Sequence, residues 1–231
     1  MPRRVYRRLL FQDLEKIYAQ LAGVARKPNN GRRFLDVGAS FGFEVLKRES
    51  EGYDAYGLEI NAENALKATR LSKKYGRELM MVIGDAQNMP FRDGAFDSVH
   101  CRHVIEHVPD DAGVIEGMKA ALKKDGIMEV VVPNLRNLHT AFHSMLGLPN
   151  ELRFTDRTHL REYTKEQLLG LLEASGVRVE RVEMRGFNPP LGMKVMILLD
   201  HFVPVSRTIG GLGKTFPRRS AEIYAEAIKK S

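Results

Sequence analysis

The chain has 231 residues, 43 % hydrophobic and 28 % charged, with a formal net charge of +7; this excludes disorder as its main state and supplies the core of one generous domain. A single cysteine, Cys101, excludes a disulfide framework and fits a reducing, cytoplasmic setting. No run reaches the roughly 18 apolar residues of a membrane span, since Lys194, Asp200 and His201 interrupt Leu191–Val205, and the Arg-rich N-terminus lacks the apolar run and cleavage site of a secretory signal.

The basic excess is confined to one end. Residues 1–33 hold nine Lys or Arg and two acids, and residues 34–231 hold 27 of each sign. A second, smaller bias falls at Arg207, Lys214, Arg218 and Arg219. Such runs are either solvated faces or attract an anionic partner. Within the N-terminal segment, Leu10, Leu14, Ile17, Leu21 and Val24 recur at helical spacing, and the turn residues Lys27–Gly31 end that helix.

A strand follows at 34–37, closing on Gly38, then a helix from Phe43 to about Arg48 and a second strand over 54–59. Asn61 is placed to cap a helix running to Lys74, where Tyr75-Gly76 stops it. Further strands are expected at 79–83, 95–101 and 127–132. Between the last two, Asp110 and Asp111 open a helix ending near Lys124, with Gly126 as its stop. Thr164 and Gln167 form a capping box, and the helix they start ends at Ser175-Gly176. Strands at 177–184 and 222–229 complete the pattern. Apolar strands alternating with helices predict an α/β fold, a mostly parallel sheet covered on both faces. The chain reads as a single domain, with a basic N-terminal helix over 1–33 and substrate-side insertions at 135–163 and 186–219.

Three strand ends carry the chemistry. The first ends Asp36-Val37-Gly38-Ala39-Ser40-Phe41-Gly42, where small residues allow a tight turn and close approach of a ligand. The second ends in Glu59, an acid able to accept from ribose hydroxyls, and the third in Gly84-Asp85-Ala86, an acid able to accept from an exocyclic amine. Such acids converge where open α/β sheets bind ligands. The glycine register departs from the dinucleotide pattern, and Asp36 would repel a pyrophosphate, which counts against a nicotinamide-dependent oxidoreductase. A carboxylate there suits a cationic ligand.

In these segments the chain resembles a class I S-adenosylmethionine-dependent methyltransferase. Residues 36–42 resemble that family's first motif, with Ser40 for its middle glycine. The run from Gly84 through Asp97 resembles Gly-Asp-Ala-x-x-Leu-Pro-Phe-x-Asp-x-x-Phe-Asp. Residues 102–108, Leu122–Gly126 and Val132-Pro133-Asn134 resemble the later segments. The resemblance covers about residues 30–185. It implies a Rossmann-like seven-stranded sheet with the last strand antiparallel, and S-adenosyl-L-methionine as cofactor. Asp36, Gly38, Ser40 and Gly42 would hold its methionine end, Glu59 and Ile60 its ribose side, and Asp85 with the Ala86 amide its adenine. His103 would line the methyl path.

Methyl transfer from a sulfonium needs mainly proximity and orientation. A hydroxyl acceptor also needs a base, for which histidine suits neutral pH. His103 and His107 are the candidates, with His139, His143 and His159 weaker; His100 reads as a core or supporting residue. Residues 103–110 are also similar to the Glu-x-x-Glu-His-Val-Pro-Asp segment of quinone-ring O-methyltransferases, which has been linked to a divalent cation. Here His103 replaces the first acid, and Glu106 and His107, adjacent on a strand or helix, would point apart, so no metal is expected. Residues 156–164, Asp-Arg-Thr-His-Leu-Arg-Glu-Tyr-Thr, resemble a segment of a prokaryotic branch associated with glycan and small-molecule modification. A small-molecule, sugar or lipid-linked acceptor is the first expectation, and Met193–Val205 would form a lid or touch a membrane surface. The alternatives are an RNA methyltransferase using the basic N-terminus, and a non-catalytic cofactor-binding partner subunit.

Overall fold

The computed structural model describes residues 14–137, 145, 158–186 and 220–230. The N-terminal basic run over 1–13, the stretch 187–219 with its apolar and basic segments, and His139 and His143 lie outside the described residues.

Seven strands form one sheet: β1 (Arg33–Val37), β2 (Asp54–Glu59), β3 (Met80–Ile83), β4 (Phe96–Arg102), β5 (Leu122–Pro133), β6 (Arg178–Arg185) and β7 (Glu222–Ile228), in the order β3-β2-β1-β4-β5-β7-β6. β1 pairs with β2, and β2 with β3, in parallel. The last strand, β7, is antiparallel to both β5 and β6. The helices are α1 (14–22), α2 (Phe43–Ser50), α3 (Ala62–Lys74), α4 (Asp111–Ala121) and α5 (Lys165–Ala174). The α/β architecture with an antiparallel last strand is the one expected. No helix among the described residues is long and apolar enough to cross a membrane.

Local signals placed several boundaries to the residue. The Asn61 side chain accepts from the Glu63 and Asn64 amides at the start of α3, satisfying donors that a helix N-terminus leaves open. The Thr164–Gln167 capping box forms with both of its hydrogen bonds. One boundary differs. α4 ends at Ala121, three residues before the expected Lys124, and Gly126 lies within β5. The left-handed residue there is Asp125, at φ 59°. Gly126 answers a different need, because a Cβ on it would come within 2.9 Å of both Leu122 Cδ2 and the Lys123 carbonyl oxygen.

The chain divides into two compact units, one of Met1–His100 with Ala120–Gly126, the other of Cys101–Lys119 with Ile127–Ser231. The first is organised by a buried cluster that includes Tyr18, Phe34, Ala39, Leu46, Ala68 and Leu79. In it α1 is anchored through Tyr18, whose hydroxyl lies against the Phe41 and Ala68 carbonyl oxygens. In the second unit, Ile115, Met118, Leu168 and Leu172 are fully buried.

Candidate functional site

In the first unit, β1 runs straight into the small-residue loop. The Gly38 and Ala39 amides both donate to the Leu58 carbonyl, at 2.8 and 2.9 Å, tying the loop to the end of β2. Gly38, Ser40 and Gly42 all have positive φ, at 74°, 47° and 70°. Gly42 is the residue before α2, and a Cβ on it would come within 2.8 Å of Leu79 Cδ1. Ser40 adopts the same left-handed conformation without being glycine, so its small side chain preserves the loop at some cost in strain.

Glu59, at the end of β2, is buried. Its Oε2 accepts from the Ser40 amide and its Oε1 from the Asn61 amide, each at 2.7 Å. Both oxygens are thus aimed by backbone, and each keeps a second lone pair for a ligand hydroxyl. Ile60, next in the chain, is 69 % exposed, an uncovered apolar side chain beside a buried carboxylate. Asp85 accepts from the Gln87 amide at 2.9 Å and starts the short 3-10 turn Ala86–Asn88. Asp36 is buried, with Oδ1 2.8 Å from His100 Nδ1. Burial pushes its carboxyl up, and the His100 hydrogen bond pulls against that shift. One Asp36 oxygen is therefore committed to β4. The Glu59 carboxylate held by two backbone amides, the positive-φ loop and the exposed Ile60 fit a nucleoside with a cationic, amino-acid tail.

The second unit holds the histidines. His103, just past β4, has φ 54°. Its Nδ1 lies 3.1 Å from Glu106 Oε1 and its Nε2 2.9 Å from Glu222 Oε1. Glu222 also accepts from Arg102 at 2.8 Å. Burial disfavours the charged ring, but the Glu106 and Glu222 hydrogen bonds outweigh it and raise its pKa to about 9. Burial of Glu222 is likewise outweighed, by His103 and Arg102, and its pKa falls to about 2. With a carboxylate facing each nitrogen, the protonated ring is the favoured form, which suits His103 to donating a hydrogen bond. Glu222 carried no signal in the sequence beyond opening a strand.

Residues 104–107 form a turn, neither strand nor helix, which corrects the expectation that Glu106 and His107 point apart. Each of Glu106, His107 and His159 offers a ligand atom, all within 4.8 Å of one another. Glu106 is fully buried, and its Oε2 has no hydrogen-bond partner. The His107 and His159 rings meet edge-on, with centroids 4.8 Å apart. Three donor groups are thus brought within reach of one another.

The segment 158–163 clasps this turn. The Leu160 and Arg161 amides donate to the Glu106 carbonyl. The Arg161 guanidinium donates to the carbonyls of Ile105, Val108 and Pro109. The Tyr163 hydroxyl donates to Asp111 Oδ2 at 2.6 Å. Residues 158–163 of the 135–163 insertion thus hold the turn after β4 in place.

Residues 6–182 match a family profile described as a methyltransferase domain. The ubiquinone biosynthesis O-methyltransferase of Bordetella avium is 30 % identical over 168 residues, 69 % of this chain and 67 % of that protein. The protein of the same name from Thiobacillus denitrificans is 29 % identical over 174 residues, 71 % of this chain and 72 % of its own. Among solved structures, a putative methyltransferase from Bacillus halodurans superimposes with a TM-score of 0.61 at 22 % identity, covering 95 % of this chain and all of that one.

Proposed function

Because the chain belongs to the methyltransferase-domain family, and so is an S-adenosylmethionine-dependent enzyme, we propose that its first unit holds the cofactor on the Gly38–Gly42 loop and the adjoining strand ends, and that its acceptor is a hydroxyl of a small molecule. The observation that carries this reading is Glu59, whose two oxygens are oriented by the Ser40 and Asn61 amides. When bound, the cofactor supplies a sulfonium methyl group open to in-line attack. Asp36 and the amides of Gly38, Ser40 and Gly42 would hold its methionine end, Glu59 its ribose hydroxyls, Ile60 one face of its adenine, and Asp85 with the Ala86 amide the adenine edge.

The relatives are named O-methyltransferases of ubiquinone biosynthesis. That supports oxygen on a small acceptor ahead of the sugar and lipid-linked acceptors suggested by residues 156–164. The protein's share of the work is then to orient the acceptor and relieve it of a proton. His103 keeps a place in this reading as a donor beside the methyl path. His107, half-buried with Nδ1 3.2 Å from the Thr158 carbonyl, is the ring a proton could reach so long as nothing else holds it. The whole chain is read as one methyltransferase domain.

Calorimetric titration with S-adenosylhomocysteine, followed by transfer of a labelled methyl group to a panel of phenols, catechols and amines, tests the reading. One site per chain and transfer to oxygen are expected. Absence of binding would overturn the cofactor assignment, and exclusive transfer to nitrogen the acceptor class.

A further inference from the structure

We propose that His100 is a positioning residue for the cofactor's amino-acid tail: its ring fastens one oxygen of Asp36 and so reserves the other for the tail's ammonium group. This rests on the reading of Asp36 as part of the seat of the methionine end, and both residues belong to the first unit. Strand neighbours build the pair. Phe34 and Asp36, two apart on β1, share one face of the sheet, and His100 on the adjacent strand β4 lies across both. Its ring stands 26° from the plane of Phe34, with centroids 6.3 Å apart, while its Nδ1 lies 2.8 Å from Asp36 Oδ1.

Asp36 needs such a partner. Its carboxyl is buried, and burial favours the neutral form, which has nothing to offer a cation. Burial pushes the Asp36 carboxyl up, and the His100 hydrogen bond is the largest effect opposing it. From α2, Glu44 pushes it further up and Arg48 pulls it down, each less than that bond does. The Nδ1–H donation also fixes where the carboxylate points. With Oδ1 held, Oδ2 is the oxygen to which no described residue donates. A fixed, water-poor carboxylate oxygen holds an ammonium more strongly than a solvated one. The nucleoside end depends instead on Glu59, which takes its donors from the Ser40 and Asn61 amides and owes nothing to His100. The effect of His100 is therefore confined to the tail, and a histidine that merely filled the core would make no such distinction.

The test compares two ligands by calorimetry on the full-length protein: S-adenosylhomocysteine, which carries the amino-acid tail, and methylthioadenosine, which lacks it. His100→Leu, similar in volume but without a donor, should bind S-adenosylhomocysteine about 10- to 100-fold more weakly and methylthioadenosine within about twofold of the parent. His100→Asn, whose side-chain amide can set an N–H where Nδ1–H stands, should keep S-adenosylhomocysteine within about threefold. Asp36→Asn should show the same tail-selective loss, and adding His100→Leu to it should cost little more, because the two residues act as a unit. Circular dichroism and thermal melting check each variant. If His100→Leu does not fold, His100→Phe, which keeps a ring against Phe34, takes its place with the same expectations. Equal losses for both ligands, unchanged or tighter S-adenosylhomocysteine binding without the donor, no recovery in His100→Asn, or additive losses in the double variant would each overturn the proposal. Binding of neither ligand by the parent would overturn the cofactor reading itself, a failure distinct from these.

Discussion

The Ser40 amide donates to Glu59 Oε2 at 2.7 Å, so the carboxylate that ends β2 also fastens the loop that ends β1. The bond preorganises the residues proposed to hold the cofactor, because the loop and the acid cannot move independently. Glu59→Gln keeps the shape but replaces one acceptor oxygen with an NH2 donor, which must face either the Ser40 or the Asn61 amide. The loss of charge-assisted hydrogen bonds of about 1.5–3 kcal/mol corresponds to weaker S-adenosylhomocysteine binding by roughly 10- to 100-fold. Calorimetry measures it, and unchanged affinity would remove Glu59 from the site.

Ser40 holds φ 47° in a loop whose neighbours Gly38 and Gly42 relieve the same strain by being glycine. A left-handed conformation costs a residue with a Cβ about 1–2 kcal/mol, and glycine gives back part of this gain through its larger unfolded-state entropy. Ser40→Gly is expected to raise stability by about 0.5–1 kcal/mol in urea denaturation and to leave cofactor affinity within about twofold. Ser40→Val, β-branched at the same φ, should be destabilising. A loss of stability in Ser40→Gly would show that the hydroxyl matters more than the backbone.

The Arg161 guanidinium serves three carbonyls, of Ile105, Val108 and Pro109, and also lies 3.5 Å from Asp111 Oδ2. Lysine cannot reproduce this fork, since its ammonium is a compact point charge. Arg161→Lys is expected to destabilise the protein by about 1–3 kcal/mol, and hydrogen exchange should rise first in residues 104–109. Equal exchange there in variant and parent would show that the clasp is dispensable.

What the sequence made legible follows the range of the interactions. The start of α3 at Asn61 and the Thr164–Gln167 capping box are decided within three or four residues, and both stand where spacing put them. At the α4–β5 junction two adjacent residues competed for the turn. Asp125 took the left-handed conformation and Gly126 the position crowded by the Leu122 side chain and the Lys123 carbonyl, which propensity alone does not encode. In the site, the identity of Glu59 as a strand-end acid was readable from its place in the pattern. Its fastening to Ser40, the Asp36–His100 pair across 64 positions and the His103–Glu222 pair across 119 depend on strand neighbours that no local spacing encodes. The convergence of Glu106 and His107 was misread because a turn, unlike a strand or helix, lets successive side chains share a side.

Glu222 gives the fold a defined acid response. Its pKa of about 2 reflects the His103 and Arg102 hydrogen bonds outweighing its burial. A carboxyl whose folded pKa lies below its unfolded value of about 4.5 contributes fully above pH 4.5, and that contribution is lost as pH falls through 2. The shift sets an upper bound of about 3 kcal/mol, part of it shared with His103, so about 1–2 kcal/mol is expected for Glu222 itself. In Glu222→Gln this increment is absent at neutral pH. The stability of parent and variant should therefore converge between pH 4.5 and pH 2, as followed by urea denaturation at each pH. Parallel curves across that window would mean that Glu222 is not depressed in the folded protein, and that the tie from β7 to His103 does not form as described.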